Sequence, residues 1–542
     1  MNLLTSLLAP LLLATPFTAQ EQAPPDSDVI AKIAEFNRLR FDDDEIRLML
    51  GDVTQQLAGF QAMREIPLGN EIPSALVFDP LGYGVQLRAR STEPAKEAAL
   101  LPDVERPADL EELAFADITT LASLIRSRKV SCVELTTSFI ARLRRLNESL
   151  HCVITFTEER ALAQARALDQ ELADGKWRGL LHGIPWGAKD LLAVRGYRTT
   201  WGAQPFREQV LDVDATVVTK LDEAGAVLIA KLTLGALAWG DVWFDGMTRN
   251  PWDPNQGSSG SSAGSASASA AGGVVFAIGS ETLGSIVSPS VRCGNSSLRP
   301  TFGRVSRHGA MALSWSMDKL GPLCRSVQDA AIVFDAIYGP DPLDNHVQDH
   351  SFRLPDRVDV SGLRVGVPRQ AFEQSSRDKR VLDELEALGV ELVPFDLPQY
   401  PTSAMTVVLS VEAATAFDEL TRSGADQELV RQTQDAWPNV FRAAQLVPAV
   451  EYVRANRLRS AMMREMDSVM ASVDLFVHPV YYGLSTTNLT GHPTVIAPSG
   501  FSEDGKPYSI CFTGQLFGEE RLLALARAWQ ESRDYHLRHP GE

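Results

Sequence analysis

The sequence predicts an α/β fold in which helices flank a β-sheet. From about residue 115 onward, helical patterns alternate with short β-branched or apolar runs. Apolar residues make up 44% of the 542 residues and charged residues 22%, which is the balance of an ordinary globular protein. No repeat of about 20 to 50 residues is visible, which argues against a solenoid or a propeller. One large domain accounts for this pattern more economically than two.

The first residues are typical of a leader that directs export. Residues 3–13 form an apolar run that is too short to span a bilayer, and a polar segment follows it. We interpret residues 1–19 as a signal peptide, although no Lys or Arg precedes the apolar run. This predicts an exported protein, periplasmic or secreted, with no membrane span in the mature chain. The alternatives are a membrane anchor formed by the N-terminal segment, or a cytoplasmic protein.

Residues 20–108 are predicted to form a helical and irregular appendage, which leaves residues 109–542 for the α/β domain. Within the appendage, residues 29–66 carry apolar side chains at helical spacing and indicate two helices. The α/β domain begins with helical patterns, among them SCVELTTSFIARLRRL at 131–146. Its strand candidates are, in chain order, VITF (153–156), AVLIAKL (226–232), VVFAIG (274–279), LRVGVP (363–368), ELVPF (391–395) and DLFVHPV (474–480).

A run of small residues, GSSGSSAGSASASAAGG at 257–273, has two interpretations. Its composition is that of a flexible linker. Its flanks, NPWDP before it and the strand-like VVFAIG after it, favour a helix at 262–271 that packs very close to its neighbours. We therefore expect a helix here rather than a linker.

Charge and cysteine content exclude several classes of function. The formal net charge of −18 argues against nucleic acid as a partner, because most of the surface would repel a phosphate backbone. The longest basic cluster, RLRR at 142–145, lies on a helical pattern where charge is usually solvated. The five cysteines are scattered, with no CxxC and no Cys/His pair at metal spacing. Neither a zinc site nor a disulfide scaffold is indicated.

Several serines compete for a catalytic role. Residues 260–264 match the GxSxG nucleophile elbow, but no apolar strand precedes them. Residues 316–319 match SxxK without the partner motifs found in β-lactamases. Ser285 has better context, because a strand-like run ends near Ile278 and a glycine-containing turn follows. Such a turn can aim several N–H groups at one point and form an oxyanion hole.

A serine hydroxyl needs a base, and Lys189 is a candidate. It lies in HGIPWGAKDLLAVRG, where apolar neighbours permit burial. An ordinary lysine, with a pKa of about 10.4, is charged at neutral pH, but burial can lower the pKa by up to about 3 to 5 units. A lysine in an apolar stretch is more often ion-paired, so these residues alone do not decide its role.

Motifs in a fixed order resemble the amidase signature family. They are GIPWGAKD (183–190), NPWDP (250–254), SGSSAGS (259–265), GSETLGS (279–285) and LRPTFGRVSRHGAMALSWSMDKLGP (298–322). Residues 488–529 are similar to that family's closing strand and helix, so the resemblance spans roughly residues 115–535. It implies a single large amidase-signature domain with a central mixed sheet and helices on both faces.

The resemblance also implies a Ser, cis-Ser, Lys triad. Carried over residue by residue, the nucleophile is Ser285, the bridging serine on a cis peptide bond is Ser261, and the base is Lys189. The oxyanion hole is expected from the backbone N–H groups of Thr282, Leu283, Gly284 and Ser285, with Asp190 and Ser262 as orienting groups. No metal and no cofactor is implied.

Two residues of the nucleophile turn depart from the family pattern TGGSIR. Leu283 stands in place of a glycine, and Val287 in place of an arginine. The missing arginine removes an ion partner of Glu281, and Arg292 is a candidate to substitute for it. Ser259 also replaces a glycine, as does Ala263, and both changes are sterically mild.

The leading hypothesis is a metal-independent serine hydrolase that cleaves a carboxylic amide through an acyl-enzyme, with esters, anilides and carbamates as further candidate substrates. Its expected partner is a small-molecule amide or ester, and a homodimer is left open. One alternative is the glutaminase (A-type) subunit of a tRNA-dependent amidotransferase, which shares this domain. Another is an inactive scaffold that keeps the fold for binding. The natural substrate is not identified by the sequence.

Overall fold

The computed structural model describes residues 25–64, 66, 69–72, 76–82, 85–88, 101–353, 359–373 and 376–541. The predicted signal peptide lies outside these residues. Packing divides the chain into two units, one that ends at Ile72 and one that begins at Pro73. The appendage predicted from the sequence ends at residue 108, whereas the boundary between the two units lies after residue 72. The described residues between 73 and 108 pack with the larger unit.

The smaller unit contains the two helices expected over residues 29–66. They are α1 (Ser27–Phe36) and α2 (Asp43–Arg64). A reciprocal capping box begins α2, because Glu45 N–H donates to Asp42 Oδ1 and Asp42 N–H donates to Glu45 Oε2, each at 2.9 Å. Among the residues that the structure describes, no helix is both long enough and apolar enough to cross a membrane.

The larger unit is built on a mixed β-sheet. Its described residues form the strands β1 (Val153–Phe156), β2 (Pro185–Lys189), β3 (Val227–Leu232), β4 (Val242–Trp243), β5 (Gly246–Met247), β6 (Arg249–Asn250), β7 (Asp253–Gly257), β8 (Phe276–Glu281), β9 (Ser296–Arg299), β10 (Lys319–Cys324), β11 (Arg364–Val367), β12 (Glu391–Pro394), β13 (Leu475–Pro479), β14 (Thr494–Phe501) and β15 (Pro507–Gly514). Eleven of these form one sheet in the order β1-β3-β2-β8-β10-β9-β14-β15-β13-β11-β12. The pairs β2/β3, β2/β8, β11/β12 and β11/β13 are parallel, and the others are antiparallel.

Helices flank this sheet, as the sequence predicts. They are α3 (Ile118–Arg126), α4 (Cys132–Leu150), α5 (Glu158–Ala173), α6 (Thr216–Glu223), α7 (Ala263–Ala270), α8 (Val287–Cys293), α9 (Val327–Ile337), α10 (Arg369–Glu373), α11 (Ser376–Glu386), α12 (Thr402–Met405), α13 (Val407–Ala416), α14 (Asp418–Arg422), α15 (Trp437–Ala444), α16 (Ala449–Met470), α17 (Leu484–Thr490) and α18 (Glu519–Glu531). Short 3-10 helices lie at Leu110–Phe115, Gln204–Phe206, Ala236–Ala238, Ala425–Glu428 and Tyr535–Leu537.

The run of small residues forms a buried helix, so the helical interpretation of 262–271 is confirmed. All eight residues of α7 are buried. A Cβ on Gly264 would lie 2.4 Å from the carbonyl oxygen of Cys152 and 2.5 Å from the backbone nitrogen of Thr233. Only small side chains allow α7 to approach the sheet this closely, and the approach places the preceding loop, 257–262, beside the ends of β2 and β8.

All five cysteines are buried and none forms a disulfide. Burial raises the pKa of the Cys152 thiol to about 12 and that of Cys511 to about 12. These thiols therefore act as small apolar side chains of the core.

Candidate active site

Lys189 is the last residue of β2, a strand that lies between two parallel neighbours, β3 and β8. Its side chain is completely buried. The amine Nζ lies 2.8 Å from Ser261 Oγ, 3.1 Å from Ser262 Oγ and 2.9 Å from Ser280 Oγ. Burial lowers the pKa of Lys189 to about 7, although the negative charges of Asp318 and Glu281 oppose this shift. Lys189 can therefore be uncharged near neutral pH.

The hydrogen bonds around Lys189 determine which hydroxyl faces its lone pair. An uncharged amine offers two N–H donors and one lone pair. Ser262 Oγ donates to the carbonyl oxygen of Ser280 at 3.1 Å, so this hydroxyl accepts from Lys189. When Ser280 Oγ accepts the second N–H, the lone pair is left for the hydroxyl of Ser261. This geometry is that of a base that can take a proton from Ser261.

Ser261 lies in a loop that is pressed against the segment 235–241. The peptide bond between Gly260 and Ser261 is cis, as the family resemblance implies. A Cβ on Gly260 would lie 1.8 Å from the carbonyl oxygen of Gly240, so only glycine fits at this position. Asp241 fixes the same loop, because its Oδ2 accepts the N–H of Ser259 at 2.9 Å.

Ser285 lies in the turn between β8 and α8. Gly284 has a φ of +91°, in the left-handed region that favours glycine. Leu283 does not lie in that region, so its backbone conformation is one that leucine can adopt. Within the described residues, no intramolecular hydrogen bond uses the N–H groups of Leu283, Gly284 or Ser285. Ser262 N–H donates to the carbonyl oxygen of Ser285 at 3.1 Å, which joins the turn to the loop of the bridging serine. The turn can therefore offer free N–H donors to a developing oxyanion.

Glu281 holds the nucleophile turn through hydrogen bonds to the backbone that follows Ser285. Its Oε2 accepts the N–H groups of Ile286 and Val287 at 2.8 and 2.9 Å, which caps α8. Its Oε1 accepts from Arg299 at 2.8 Å in an ion pair whose side chains are both fully buried. The candidate pairing of Arg292 with Glu281 is wrong, because Arg292 lies at the surface and donates to Gln256 Oε1. Arg299, on the central strand β9, supplies the positive charge instead.

Thr282, the first residue of the turn, is held through its side chain and its backbone. Its hydroxyl donates to Asp318 Oδ1 at 2.5 Å, and Asp318 Oδ2 accepts the N–H groups of Leu313 and Ser314 at 2.8 and 2.9 Å. Lys319 Nζ lies 3.5 Å from the carbonyl oxygen of Thr282. These contacts fix the start of the turn from Asp318, which directly precedes β10, and from Lys319, the first residue of that strand.

Asp190, which follows Lys189, forms a buried ion pair. Its Oδ1 lies 2.8 Å from Lys231 Nζ, and its Oδ2 accepts the N–H and the hydroxyl of Thr200 at 2.8 and 2.5 Å. Lys231 also donates to the carbonyl oxygen of Arg198 and to Thr199 Oγ1. Through Lys231 and Thr200, Asp190 therefore fixes the backbone directly after Lys189. In this way Asp190 helps to position the amine of Lys189.

The SxxK match at 316–319 serves a different purpose. Ser316 Oγ donates to Glu412 Oε1 at 2.8 Å and accepts from Arg459 at 2.9 Å, within a buried cluster. Lys319 points to the backbone carbonyl groups of Met317 and Thr282. Ser316 and Lys319 thus have separate partners and do not form a catalytic pair. Their contacts stabilise the segment 316–319, which also contacts Thr282.

Sequence reasoning did not single out three residues of this site. They are Ser280, which contacts the amine of Lys189, Lys231, which pairs with Asp190, and Arg299, which pairs with Glu281. Lys231 interrupts the apolar run AVLIAKL, and a charge inside a buried strand requires a partner. Arg299 lies in SSLRP, which is not an apolar run. Ser280 gave no such signal, because it is one of many serines in this part of the chain.

Comparisons with known proteins match most of the chain. The family model named Amidase matches residues 134–487. The A-type subunit of glutamyl-tRNA(Gln) amidotransferase from Moorella thermoacetica is 32% identical over 482 residues, which cover 79% of this chain and 99% of that protein. The native peptide amidase of Stenotrophomonas maltophilia has a TM-score of 0.71 at 27% identity, covering 79% of this chain and 99% of that chain. The A-type subunit from Thermotoga maritima has a TM-score of 0.67 at 26% identity, covering 81% of this chain and 99% of that chain.

The family model covers more than half of the chain, and the similarity to the Moorella protein extends over nearly the whole of that relative. The mixed sheet of the larger unit, with its flanking helices, matches the solved structures of the same group. The chain therefore belongs to the amidase signature family.

Proposed function

We propose that this protein hydrolyses a terminal carboxamide to a carboxylic acid and ammonia, with Ser285 as nucleophile, Ser261 as proton bridge and Lys189 as base. The observation that carries the proposal is the amine of Lys189, fully buried and 2.8 Å from the hydroxyl of Ser261. A buried amine with a pKa of about 7 is a suitable general base at neutral pH.

The acylation step moves one proton along the triad. Lys189 takes the proton of the Ser261 hydroxyl, and Ser261 Oγ takes the proton of Ser285. Ser285 Oγ then bonds to the amide carbon, and the carbonyl oxygen becomes an oxyanion. When the C–N bond breaks, the proton returns through Ser261 to the leaving nitrogen, which departs as ammonia.

Deacylation repeats the relay with water as the nucleophile. The relay accepts a proton from water, the resulting hydroxide bonds to the acyl carbon, and the ester bond to Ser285 breaks. The proton then returns to Ser285 Oγ, which restores the starting state and releases the acid.

The free N–H groups of the nucleophile turn support both steps. In each step negative charge collects on the carbonyl oxygen, and donors that are already in place stabilise it without reorganisation. Removing one such donor typically costs a factor of about 10² to 10³ in rate. Glu281 and Asp318 contribute indirectly, because they hold the backbone of this turn in position.

The named relatives divide between two forms of this chemistry. The Stenotrophomonas protein is named as a peptide amidase, whereas the Moorella and Thermotoga proteins are named as the A-type subunit of a glutamyl-tRNA(Gln) amidotransferase. The curated relatives, at 32% identity over nearly their full length, favour the second form over a free-standing amidase. Hydrolysis of a carboxamide is the step we propose for either form.

The nucleophile is tested with Ser285→Ala. We expect wild-type protein to react with a fluorophosphonate probe and to release ammonia from carboxamides, and we expect Ser285→Ala to do neither, with an unchanged circular dichroism spectrum. Ser149→Ala, an exposed serine of α4, is the matched control and should behave as wild type. Ammonia release by Ser285→Ala at the wild-type rate would overturn the assignment, and an unreactive wild-type protein would favour the inactive scaffold.

A further inference from the structure

Residues 76–82 and 85–88, which we call the strap, lie against the larger unit before its first helix. The strap lies outside the residues that the family model matches. Two contacts hold it at separate points. Asp79 Oδ1 accepts a hydrogen bond from Gln348 at 2.7 Å, and Arg88 Nη2 donates to Asp467 Oδ2 of α16 at 2.9 Å. The strap is therefore a packed part of the larger unit.

Phe78 of the strap covers a buried arginine. The Cζ atom of Arg459 lies 3.6 Å from the centroid of the Phe78 ring, and Phe302 packs against the same ring edge to face at 5.0 Å. Burial lowers the pKa of Arg459 to about 10, although the negative charge of Glu412 opposes this shift, so Arg459 is a cation at neutral pH. The negative face of an aromatic ring compensates part of the cost of burying such a cation.

Arg459 joins two segments that are distant in the chain. Its Nε donates to the carbonyl oxygen of Leu489 in α17 at 2.5 Å. Its two terminal nitrogens donate to Ser316, one to the hydroxyl and one to the carbonyl oxygen, each at 2.9 Å. The position of the guanidinium under Phe78 therefore affects both α17 and the loop that precedes β10.

Both segments hold the nucleophile turn. From α17, Asn488 donates to Glu281 Oε1 at 2.8 Å, and the other oxygen of Glu281 accepts the two backbone N–H groups that follow Ser285. From the loop before β10, Asp318 accepts the hydroxyl of Thr282 at 2.5 Å. The turn is thus fixed at its start and at its end by side chains from the two segments that Arg459 joins.

The strap also contacts α17 directly. Gly491 ends this helix with a φ of +83°, and a Cβ there would lie 3.2 Å from Pro80 and 3.5 Å from Phe78. At the start of the same helix, Leu484 would lie 3.3 Å from a Cβ on Gly284. One end of α17 therefore packs on the strap and the other end packs on the nucleophile turn.

We propose that Phe78 is a positioning residue of the hydrolysis: by packing on Arg459 and on the end of α17, it keeps the N–H groups of the nucleophile turn where the oxyanion forms. This inference rests on the proposed function. The contacts lead to the turn of Ser285 and not to the amine of Lys189. Loss of Phe78 should therefore slow bond formation at Ser285 and leave the protonation of the base unchanged.

The test uses Phe78→Ala and Phe78→Tyr, with Val77→Ala, an exposed neighbour in the strap, as the matched control. We expect Phe78→Ala to lower kcat for a carboxamide by about 3- to 30-fold and to change KM by less than about twofold, because displaced donors affect the transition state more than the bound substrate. Phe78→Tyr keeps the ring and should retain the wild-type kcat, as should Val77→Ala. The midpoint of the pH profile should stay near 7 in all three.

Circular dichroism and thermal melting show whether each variant is folded. If Phe78→Ala does not fold, Phe78→Leu, which keeps apolar volume but lacks the aromatic face, replaces it with the same expectations. A folded variant that melts at a lower temperature but keeps the wild-type kcat would overturn the inference, because the strap would then only stabilise the fold. An equal loss of kcat in Phe78→Tyr or Val77→Ala, or a shifted midpoint, would overturn it as well.

Failure of the proposed function gives a different result, because it appears in the wild-type protein. If wild-type protein hydrolyses no carboxamide but reacts with the fluorophosphonate probe, the rate of that reaction replaces kcat in the same comparison of variants. If wild-type protein does neither, the proposed function is overturned and the positioning role of Phe78 falls with it.

Discussion

Lys189 combines complete burial with three hydroxyl neighbours, and this environment sets its protonation. A charged ammonium in the same place would keep its hydrogen-bond acceptors but would lose most of its hydration. Burial lowers its pKa, and the negative charges of Asp318 and Glu281 limit the shift, so that the pKa is about 7. The amine therefore changes charge within the range of pH in which the protein can be assayed.

We expect kcat/KM for a carboxamide to rise about tenfold per pH unit below pH 7 and to level off above it. The sign follows from the role of Lys189: a base must be uncharged, and its uncharged fraction falls as the pH falls through its pKa. An ordinary lysine would place the plateau above about pH 10. The measurement is a pH profile of kcat/KM, with circular dichroism to show that the protein stays folded. A flat profile between pH 5.5 and 8 would contradict the role of Lys189.

At the scale of elements, the start of α8 depends on the buried pair Glu281 and Arg299. Burial alone would raise the pKa of Glu281, but the Arg299 guanidinium and the backbone hydrogen bonds outweigh it and hold the pKa at about 2. Glu281 thus remains charged at any ordinary pH. The same carboxylate contacts α8, β9 and Asn488 of α17, so three elements meet at one side chain.

We expect Glu281→Gln to lower the free energy of unfolding by about 3 to 5 kcal/mol, because it leaves the cation of Arg299 buried without a counter-charge. Urea unfolding measures the loss. The double variant Glu281→Gln, Arg299→Met should recover part of it. As a control, Glu158→Gln, which breaks an exposed pair with Arg144, should cost less than about 1 kcal/mol. Equal losses for Glu281→Gln and Glu158→Gln would show that the buried pair has no special role.

The six strands predicted from apolar runs are present as β1, β3, β8, β11, β12 and β13, whereas β2, β9, β10, β14 and β15 were not singled out one by one. The missed central strands carry Pro, Gly, Ser or charged residues, as in PWGAK, SSLR and KLGPLC. Side-chain partners compensate the polar residues there: Ser297 binds Ser290, and Arg299 binds Glu281. Such partners come from distant parts of the chain and leave no local pattern.

The proposed site also depends on contacts between distant parts of the chain, which local sequence patterns do not reveal. Lys189 and Ser261 are 72 positions apart, and no periodicity in either segment brings them together. Their assignment depended on the family resemblance, whereas the context of Ser285 was visible from its own strand and turn. Ser280 could be recognised only once the amine of Lys189 had a position in space.

At the scale of the whole molecule, the two forms of the proposed chemistry differ in their partners. An A-type subunit is, by its name, one part of an amidotransferase for glutamyl-tRNA(Gln). The predicted signal peptide at 1–19 and the net charge of −18 favour a free-standing exported enzyme. The names of the curated relatives favour the amidotransferase form.

Glutamine separates these two forms. For the amidotransferase form, we expect ammonia release from glutamine to be slow in the isolated chain and to rise at least about tenfold with companion subunits, with co-purification from the cytoplasm. For an exported enzyme, we expect the protein in the periplasm or the medium, shortened at its N-terminus, with amidase activity that no companion changes. Measurements of intact mass, cell fractionation and ammonia release decide between them.

The burial of all five thiols has a consequence for handling and biosynthesis. A fold that needs no crosslink and buries every thiol can mature equally well in an oxidising or a reducing environment. Intact protein should resist alkylation by a maleimide, and each added label would then report an opening of the interior. The number of labelled thiols therefore measures how much of the interior has become exposed.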